Sequence, residues 1–338
     1  MKNFNNSLPK ISIVVVTLNN ERTLSECLKR ILEQDYPKDR IEYINIDGGS
    51  SDQTMHIAKQ FGFTCIKSSI PKNAEAQRAI GLERATNNLI VSIDADNYLP
   101  EKNWLRKMIK PFVDDSAIVH AGTLHYGYRP TDTIYNRYCA LFGFVDPVVF
   151  YMGKPDRRPQ YVKSWNLGKI VNESSAYTTV IFTKDDLPTV GCNGVVYRKD
   201  VLMKYARVTP NDFIHIDIFV DLIEKGYNKF VVVNTNLIHD TAVNLPTLIK
   251  KRMSFLTDYY MNESVDRRYY IYNPKSARDR LKLFLFILYT ITLVKPIADS
   301  LRGYWAIHDA AWFLHPVLCW VYLLSYASAS IKQKSSYT

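Results

Sequence analysis

The chain has 338 residues, enough to bury a sizeable core in one large domain or in one domain with an appendage. Hydrophobic residues make up 47% and charged residues 22%, which argues against intrinsic disorder. The net charge is +10, and half of this excess lies in residues 245–282, with nine basic and four acidic residues. A basic segment before an apolar one favours an anionic membrane surface. Nucleic acid is the rival partner, but no recognition motif accompanies the charge, so we expect no nucleic-acid binding.

The cysteines and the first residues indicate a compartment. The five cysteines are scattered, odd in number and free of any Cys-x-x-Cys pair. This pattern argues against a disulfide framework and a structural zinc site, and it favours a reducing compartment. Residues 1–10 are polar and precede a strand-length apolar run, so we expect no signal peptide.

The first hundred residues alternate between strand and helix patterns. We predict strands at residues 11–18, 41–46, 63–67 and 89–94, and helices at 21–34, 52–60 and 73–86. Regular patterns return at residues 191–197, 217–225 and 229–233, after an irregular stretch at about 120–190 that we interpret as loops and extra strands. This order predicts an α/β fold with a mainly parallel central sheet flanked by helices, and a ligand crevice at the strand ends.

The end of the chain is apolar. Residues 283–294 are twelve uncharged residues, too few to cross a bilayer, whereas residues 310–331 are 22 residues without Asp, Glu, Lys or Arg, which is long enough. Three interpretations compete: a membrane hairpin, an in-plane amphipathic pair, or helices that pack against the α/β domain or another subunit. Charged residues between the two runs favour seating at the membrane interface.

Two carboxylates, Asp94 and Asp96, end the predicted strand at 89–94. An isolated Asp-x-Asp is more often an Asx-turn that closes a strand. At the carboxyl end of a strand in an open α/β sheet, however, the pair would lie where ligands bind. Two such carboxylates suit a divalent cation that substrate phosphates also hold.

Two further polar segments follow predicted strands. The first runs Thr-x-Asn-x-Glu from Thr17 to Glu21, and the second runs Asp-Gly-Gly-Ser-x-Asp from Asp47 to Asp52. Neither a Gly-x-Gly-x-x-Gly fingerprint nor a Walker-type lysine loop is present, so a dinucleotide-binding or P-loop enzyme is poorly supported. Taken alone, the second segment is typical of a turn followed by a helix N-cap.

The three motifs, in this order and spacing, resemble glycosyltransferase family 2, inverting enzymes with the GT-A fold, over about residues 10–240. The resemblance implies a catalytic domain at 10–240, with a nucleotide-sugar half at about 10–118 and an acceptor half at about 119–240. A basic segment at 241–282 and apolar helices at 283–331 follow. It also implies metal-dependent transfer of a sugar from a UDP- or GDP-linked donor to a hydroxyl acceptor.

The resemblance also nominates site residues position by position. The positions that match nucleotide-sugar contacts are Thr17, Asn19, Glu21, Asp47, Asp52, Arg78 and Asp94. Those that match ligands of Mn²⁺ or Mg²⁺ are Asp94, Asp96 and His239. The chain departs from the family at Asn97, where a third acidic residue is usual, and at Ala79, where asparagine is usual.

The acceptor side is implied by two further segments. Cys192 and Asn193 lie in a Gly-Cys-Asn-Gly segment that resembles the acceptor loop of the family. Asp217 matches the second acidic residue of the family's Glu-Asp-x-Asp segment, but Ile214-His215 replaces the preceding pair. We favour Asp217 as catalytic base. His215 is the alternative, because an unperturbed imidazole titrates near neutrality, or it orients Asp217.

The acceptor and the cellular location stay open at this stage. A lipid-linked or cell-surface glycan is expected, on the cytoplasmic face of the cell membrane. A polyprenyl phosphate is the alternative acceptor, since this anion needs little base catalysis. A non-catalytic nucleotide-sugar binder is a second alternative, and whether the chain forms a homo-oligomer is undecided.

Overall fold

The computed structural model describes residues 8–241, 244–257 and 266–335. Their contacts divide into two compact units: residues 8–124 and 164–239 form the first, and residues 125–163 with the described residues from 240 onward form the second. The division differs from the expected catalytic domain at 10–240, because residues 125–163 belong with the C-terminal helices. Parts of the expected basic segment (242–243 and 258–265), and residues 1–7 of the expected polar start, lie outside the described residues.

The described residues form ten strands in one sheet. In chain order these are β1 Ile11–Thr17, β2 Ile41–Asp47, β3 Thr64–Lys67, β4 Leu89–Asp94, β5 Asn97–Tyr98, β6 His120–Tyr126, β7 Lys169–Glu173, β8 Tyr177–Ile181, β9 Val195–Arg198 and β10 Lys229–His239. The sheet order is β3-β2-β1-β4-β9-β6-β10-β8-β7, with β5 paired to β10.

The sheet is parallel at one end and antiparallel at the other. Strand β1 pairs in parallel with β2 and β4, and β2 pairs in parallel with β3. Beyond β4 the pairs are antiparallel, as in β4 with β9 and β10 with β8. The α/β class is confirmed, but the sheet is mixed rather than mainly parallel, because β9 pairs antiparallel with both β4 and β6, and β8 pairs antiparallel with both β10 and β7.

The helices, in chain order, are α1 Glu21–Leu32, α2 Thr54–Gln60, α3 Ala74–Arg84, α4 Trp104–Asp114, α5 Ile134–Phe142, α6 Pro147–Tyr151, α7 Lys199–Tyr205, α8 Asp217–Glu224, α9 Leu245–Phe255, α10 Ala277–Thr292, α11 Val294–Ala306 and α12 Leu314–Ser335. Helices α5 and α6 lie in the stretch that the sequence predicted to be loops and strands. Their short apolar runs carry too little periodicity to distinguish helix from strand.

Helix α3 is held close to the sheet. The side chain of Asn73 caps its first turn by accepting a hydrogen bond from the Ala76 amide, 3.0 Å away. A Cβ atom at Gly81 would lie 2.3 Å from Cγ1 of Val14 in β1, so glycine permits this close approach. The first turn of α3 is thereby fixed near the carboxyl ends of the parallel strands.

The second unit is helical, with an aromatic core. Its fully buried side chains include Tyr138, Phe142 and Trp312, packed around the buried ring of His315. Nδ1 and Nε2 of His315 each lie 3.0 Å from a tyrosine hydroxyl, those of Tyr138 and Tyr151 respectively. These bonds satisfy the polar atoms of a histidine that is wholly removed from water.

The apolar end of the chain forms three helical segments. Residues Ala310–Ile331 form a stretch that is long and apolar enough to cross a membrane, as expected, and one third of its most apolar 18-residue segment is buried. The run at 283–294 belongs mostly to α10, which meets α11 at a bend of 80°. Leu293, between them, has a φ of 60°.

Helices α10 and α11 each expose an apolar face. The exposed residues recur three or four positions apart, which places them on one side of each helix. They are Leu281, Phe284, Leu288 and Ile291 on α10, and Val294, Ile297, Leu301 and Trp305 on α11, each between 42% and 76% exposed. Large exposed apolar patches mark interaction surfaces rather than ordinary solvent-facing ones.

Candidate active site at the strand ends

A cavity of about 200 Å³ opens at the carboxyl ends of β1 and β4. It receives residues from β1 and the loop after it, from the start of α3, and from the turn after β4. The lining residues are Val16, Thr17, Leu18, Asn20, Lys72, Ala74, Gln77, Arg78, Asp94, Ala95 and Asp96. Both carboxylates of the Asp-x-Asp pair therefore line one cavity.

The turn that carries the two carboxylates is fixed by Asn97. The side-chain oxygen of Asn97 accepts a hydrogen bond from the Asp94 amide at 3.1 Å, and its Nδ2 donates to Asp96 at 3.3 Å. Asn97 is fully buried, whereas Asp94 and Asp96 are partly exposed to the cavity. An amide can hold both neighbours in this way because, unlike a carboxylate, it donates as well as accepts.

His239 lies beside the second carboxylate. It ends β10, where it pairs with Asn97 of β5, and its Nε2 is 3.5 Å from an Asp96 oxygen. The two side chains are 13% and 18% exposed. Strand pairing thus brings His239 to the Asp-x-Asp turn.

Arg78 is buried and doubly paired. Its Nη2 donates to Asp94 at 2.7 Å and its Nη1 to Glu75 at 3.2 Å, and its side chain is 6% exposed. Burial alone would lower the pKa of Arg78, but the negative charges around it, led by Asp94, raise this pKa well above its ordinary value. The guanidinium thus positions Asp94 through a charged hydrogen bond.

The two glycine- and asparagine-containing loops are tied together. The Asp47 carboxylate is buried and accepts hydrogen bonds from the amides of Gly49 and Ser50 at 2.9 and 2.8 Å, from the Ser50 hydroxyl at 2.5 Å, and from Thr17 at 3.2 Å. Asn19, at φ 53°, accepts from the Ser51 amide at 2.9 Å. Asp47 and Thr17 are therefore buried residues that stabilise the loops after β1 and β2.

Glu21 and Asp52 connect the same loops at the surface. The Glu21 carboxylate accepts from the Gln53 amide at 3.1 Å, and Asp52 accepts from the Glu21 and Thr54 amides at 3.2 and 3.0 Å. Burial acts to raise the pKa of Asp52, but hydrogen bonds from Thr54 and from the Glu21 amide together lower it below the ordinary value. Glu21 and Asn19 are exposed beside the cavity mouth, since Leu18 and Asn20 of the same loop line it.

The two candidate bases differ in access. Asp217 begins α8 and is completely buried, whereas the side chain of His215 is 16% exposed. His215 binds Glu75 twice, through its amide to Oε2 at 2.7 Å and through Nδ1 to Oε1 at 2.8 Å. A continuous series of polar contacts therefore runs from His215 through Glu75 and Arg78 to Asp94.

The Gly-Cys-Asn-Gly segment lies close to this series. Cys192 is buried, and burial raises the pKa of its thiol well above the ordinary value, while Arg78 partly offsets the shift. Asn193 is partly exposed, and Gly194 has a φ of 59° with Leu237 packed against it. Cys192 thus belongs to the packing around Arg78, and Asn193 is the more accessible residue of the two.

The candidate metal ligands fit a cation whose coordination is completed by a bound substrate. Among residues 8–241, 244–257 and 266–335, no group of three or more His, Cys, Asp or Glu side chains is arranged to hold a metal ion. Asp94 and Asp96 nevertheless face one cavity, with His239 next to Asp96. Mg²⁺ and Mn²⁺ are commonly held by one or two carboxylates together with substrate phosphates, so these residues fit such an ion.

Sequence analysis missed three residues of this site: Lys72, Glu75 and Gln77. Lys72, at φ 58°, and Gln77 line the cavity, and Nε2 of Gln77 donates to the carbonyls of Thr17 and Ile46 at 2.7 Å each. A lysine directly before a helix N-cap is a local signal for anion binding that could have identified Lys72. The backbone partners of Gln77, and His215 as the partner of Glu75, are distant in sequence, so no local signal identifies these contacts.

Comparison with known proteins agrees with this geometry. The family model described as Glycosyl transferase family 2 matches residues 12–205. Glycosyltransferase AglE of Haloferax volcanii is 26% identical over 137 residues, covering 39% of this chain and 45% of that protein. The dolichyl N-acetyl-alpha-D-glucosaminyl phosphate 3-beta-D-2,3-diacetamido-2,3-dideoxy-beta-D-glucuronosyltransferase of Methanococcus voltae is 30% identical over 108 residues, covering 30% and 33%. The chain thus spans less than half the length of these two relatives.

A solved structure supports the fold. The mannosyltransferase PcManGT from Pyrobaculum calidifontis, in complex with GDP-Man and Mn²⁺, is 14% identical with a TM-score of 0.53, covering 96% of this chain and 87% of that one. At this identity the likeness concerns the fold, and the expected GT-A class is confirmed. Since the family match covers more than half of the sequence, including β1, β2 and the Asp-x-Asp turn, the chain belongs to glycosyl transferase family 2.

Proposed function

We propose that the chain transfers a sugar from a nucleotide-sugar donor to a hydroxyl acceptor, with inversion at the anomeric carbon. The single observation that carries the proposal is that Asp94 and Asp96 face one cavity, which also receives Lys72 and the first turn of α3. A cavity with a carboxylate pair on one side and an exposed lysine and helix N-terminus on the other suits a diphosphate bridged by a cation. Family membership supports the same reaction class.

The diphosphate would be held from two sides. Lys72 and the amides at the start of α3 supply positive charge and hydrogen-bond donors. Asp94 and Asp96, with His239 beside them, would hold Mn²⁺ or Mg²⁺. When bound, the ion would neutralise charge on the leaving diphosphate. Arg78 keeps Asp94 in place rather than binding phosphate itself, because both ends of its guanidinium are already engaged.

The nucleoside would lie over the two joined loops. Asn19 and Glu21 are exposed beside the cavity. The Asn19 amide can donate hydrogen bonds to a base or ribose and accept them, and the Glu21 carboxylate can accept them. Thr17, Asp47 and Asp52 would act mainly by holding these loops in shape, since their polar atoms already accept or donate hydrogen bonds within the protein. The choice between a UDP- and a GDP-sugar is left to experiment.

We assign the base role to His215 rather than to Asp217. Asp217 is fully buried, whereas His215 is partly exposed. His215 also occupies the position of the first aspartate in the family's Glu-Asp-x-Asp segment. In the reaction, the acceptor oxygen forms a bond to the anomeric carbon while its proton passes to Nε2 of His215. The bond from that carbon to the diphosphate oxygen breaks, and its electron pair leaves on the diphosphate. Asn193 would contact the acceptor.

The apolar faces of α10 and α11 support a membrane-surface location. Burying such faces at the lipid interface stabilises binding by about 25 cal/mol for each Å² removed from water. Location on the cytoplasmic face is favoured by the five free cysteines, which suit a reducing compartment. A lipid-linked or cell-surface glycan is therefore the acceptor class that we propose.

A second candidate acceptor is a polyprenyl phosphate. A cavity of about 480 Å³ in the second unit favours it, because most of its lining is apolar, including Leu283, Phe286 and Leu323. A hydrocarbon chain suits such a space. If polyprenyl phosphate accepts the sugar and a lipid-linked sugar does not, this alternative replaces the hydroxyl acceptor.

The test is a donor panel. The protein is incubated with UDP- and GDP-sugars and Mn²⁺, with water or membrane lipid extract as acceptor, and the released nucleotide and product anomer are measured. We expect nucleotide release from at least one donor and an inverted product. Donor binding without release would instead identify a non-catalytic binder, and a retained anomeric configuration would contradict the inverting mechanism.

A further inference from the structure

Gln77 is a buried amide that joins the ends of two strands. It lies in the first turn of α3 and is 2% exposed. Its Nε2 donates hydrogen bonds to the carbonyls of Thr17 and Ile46 at 2.7 Å each. Thr17 ends β1, and Ile46 is the last residue but one of β2. The side chain therefore connects α3 to both strands from which the two loops of the site begin.

The two carbonyls fix the orientation of the side-chain amide. A carbonyl oxygen only accepts hydrogen bonds, so the atom that faces Thr17 and Ile46 must be the nitrogen. Both hydrogens of Nε2 are then used, one for each carbonyl. Exchanging nitrogen and oxygen would place Oε1 against two other acceptors and leave both carbonyls without a donor, which is costly in a buried place. Oε1 is therefore the amide atom that is left for another partner.

Oε1 of Gln77 is unpaired but not sealed from solvent. Within residues 8–241, 244–257 and 266–335, no group of the protein donates a hydrogen bond to it. Side-chain atoms of these residues that are both unpaired and shut off from solvent do not include it. Gln77 also lines the cavity of about 200 Å³ that receives Asp94 and Asp96. A ligand in this cavity can therefore reach the oxygen.

The chemistry of Oε1 limits which part of a donor it can bind. Oε1 is an acceptor, so it cannot form a hydrogen bond with the oxygens of a diphosphate, which are acceptors as well. Lys72 and the carboxylate pair line the same cavity and suit the diphosphate. The group that faces Gln77 must instead carry an N–H or O–H. A nucleoside offers both, in the ring of the base and in the ribose.

Gly48 places this oxygen beside the loop assigned to the nucleoside. Gly48 is the first residue after β2, and a Cβ atom there would lie 3.1 Å from Oε1 and 3.2 Å from Nε2 of Gln77. These separations are tighter than most carbon contacts, so a side chain at Gly48 would press on the amide. The absence of a side chain thus leaves space next to Oε1 on the side of this loop.

We infer that Gln77 is a specificity-determining residue, whose Oε1 accepts a hydrogen bond from the nucleoside of the donor, either from a ring N–H of the base or from a ribose hydroxyl. The inference rests on the proposed function. Uracil and guanine carry a ring N–H beside a carbonyl, whereas cytosine and adenine have an acceptor nitrogen at that place. A site that hydrogen-bonds such a group rejects a ligand that lacks it, because the protein atom is left unpaired.

Binding of nucleotides that lack one donor group tests the inference. The reference is UDP or GDP, whichever binds wild type more tightly by calorimetry. CDP replaces the ring N–H of UDP with an acceptor, the 2-aminopurine nucleotide does the same for GDP, and the 2′-deoxy and 3′-deoxy nucleotides each lack one hydroxyl. We expect at least one of these to bind wild type about tenfold or more weakly than the reference, as for one lost hydrogen bond. In Gln77→Met, which has a similar size but no amide, we expect this preference to fall about tenfold.

Asn45→Ala is the matched control for loosening of the strand ends. Asn45 is also a buried amide, and its Nδ2 donates to the Val15 carbonyl and the Thr17 hydroxyl at 3.1 Å each, but it does not line the cavity. A structural effect alone weakens binding of the reference and of its analogues equally. We therefore expect Asn45→Ala to keep the wild-type preference, whatever its absolute affinity.

Gly48→Ala covers the case in which Gln77→Met does not fold. The added methyl group would lie beside Oε1 while Gln77 keeps its bonds to both carbonyls. We expect it to reduce the same preference as Gln77→Met does. A wild type that binds every analogue as tightly as the reference would overturn the inference without any variant.

The outcomes separate the inference from the proposed function. If wild type binds UDP or GDP and transfers sugar, but Gln77→Met and Gly48→Ala keep its preference, Gln77 does not contact the nucleoside and the proposed function stands. The same conclusion follows if Asn45→Ala loses the preference as fully as Gln77→Met. If wild type binds no nucleotide and releases none from any nucleotide-sugar, the proposed function itself fails, and the role of Gln77 fails with it.

Discussion

Arg78 and Asp94 form an ion pair, with 2.7 Å between Nη2 and Oδ1, at the floor of the cavity that both residues line. The pair joins α3 to the end of β4, so one contact serves both the fold and the site. Asp96, two residues further on, lies beside His239 at a longer separation of 3.5 Å. The two aspartates therefore share a cavity but differ in what they do for stability.

This difference predicts distinct effects of two matched substitutions. Asp94→Asn removes the charge opposite a buried guanidinium and should lower the free energy of unfolding by about 2 kcal/mol. The effect is smaller than for a fully buried pair, because Asp94 is partly exposed and Arg78 keeps Glu75. Asp96→Asn should change it by less than about 1 kcal/mol. Urea unfolding of both variants measures this, and equal effects would contradict the unequal roles.

Two substitutions of Lys72 distinguish its effect on binding of the nucleotide-sugar donor from its effect on stability. Its φ of 58° is a left-handed conformation that costs a non-glycine residue about 1 kcal/mol. Lys72→Gly should therefore raise the free energy of unfolding by about 1 kcal/mol, and Lys72→Ala should not. Both should raise the donor KM about tenfold, which corresponds to one lost charged contact. Wild-type donor KM in both variants would exclude Lys72 from diphosphate binding.

Gly81 tests the packing of α3 on the sheet. A Cβ atom there would lie 2.3 Å from Val14 Cγ1, so Gly81→Ala must displace the helix or the strand. We expect a loss of about 1–3 kcal/mol in the free energy of unfolding, although alanine is the better helix former. Glu83→Ala, exposed on the same helix, is the control and should be nearly neutral. Unchanged stability of Gly81→Ala would mean that this close approach is absent in solution.

Glu75 predicts a specific dependence of stability on pH. Its pKa is about 2 in the folded chain against an ordinary value of 4.5. As pH falls, the unfolded chain binds the proton first, so the stabilisation is fully present above about pH 4.5 and is lost as pH falls towards about 2. In Glu75→Gln the free energy of unfolding should vary less with pH over this interval than in Glu83→Gln. Parallel curves from urea unfolding would contradict this.

The apolar faces of α10 and α11 predict binding to lipid. Replacing Phe284 and Trp305 with serine should weaken sedimentation with anionic phospholipid vesicles about tenfold or more, because each side chain contributes about 1.5–3 kcal/mol when buried in lipid. Met203→Ser removes an apolar residue of the first unit that is 43% exposed, against 59% for Phe284 and 76% for Trp305, and serves as the control. Vesicle binding that survives the double substitution would place the membrane contact elsewhere.

Much of the first hundred residues could be predicted because their signals are local. The β-branched runs ending at Thr17, Asp47 and Asp94 are buried strands with boundaries within a residue of those expected, and α3 differs from its prediction by one or two residues at each end. Turn residues and helix periodicity lie within a few positions of the elements that they define.

Other features depend on contacts between distant residues. Glu75 and His215 are 140 positions apart, and nothing near either residue in the sequence indicates the other. The antiparallel half of the sheet and the grouping of residues 125–163 with the C-terminal helices likewise follow from tertiary packing. The burial of Asp217 has the same origin: its position in the motif is local, but the elements that cover it are not.

The most direct test of the central claim is thermal unfolding with nucleotide-sugars, with and without Mn²⁺, for wild type and Asp96→Asn. A ligand that binds the folded chain raises the midpoint by mass action. We predict that at least one UDP- or GDP-sugar raises the wild-type midpoint, that Mn²⁺ enlarges this rise, and that Asp96→Asn abolishes the enlargement. A nucleotide-sugar effect that is the same without Mn²⁺ and in Asp96→Asn, or no effect with any donor, would contradict the account.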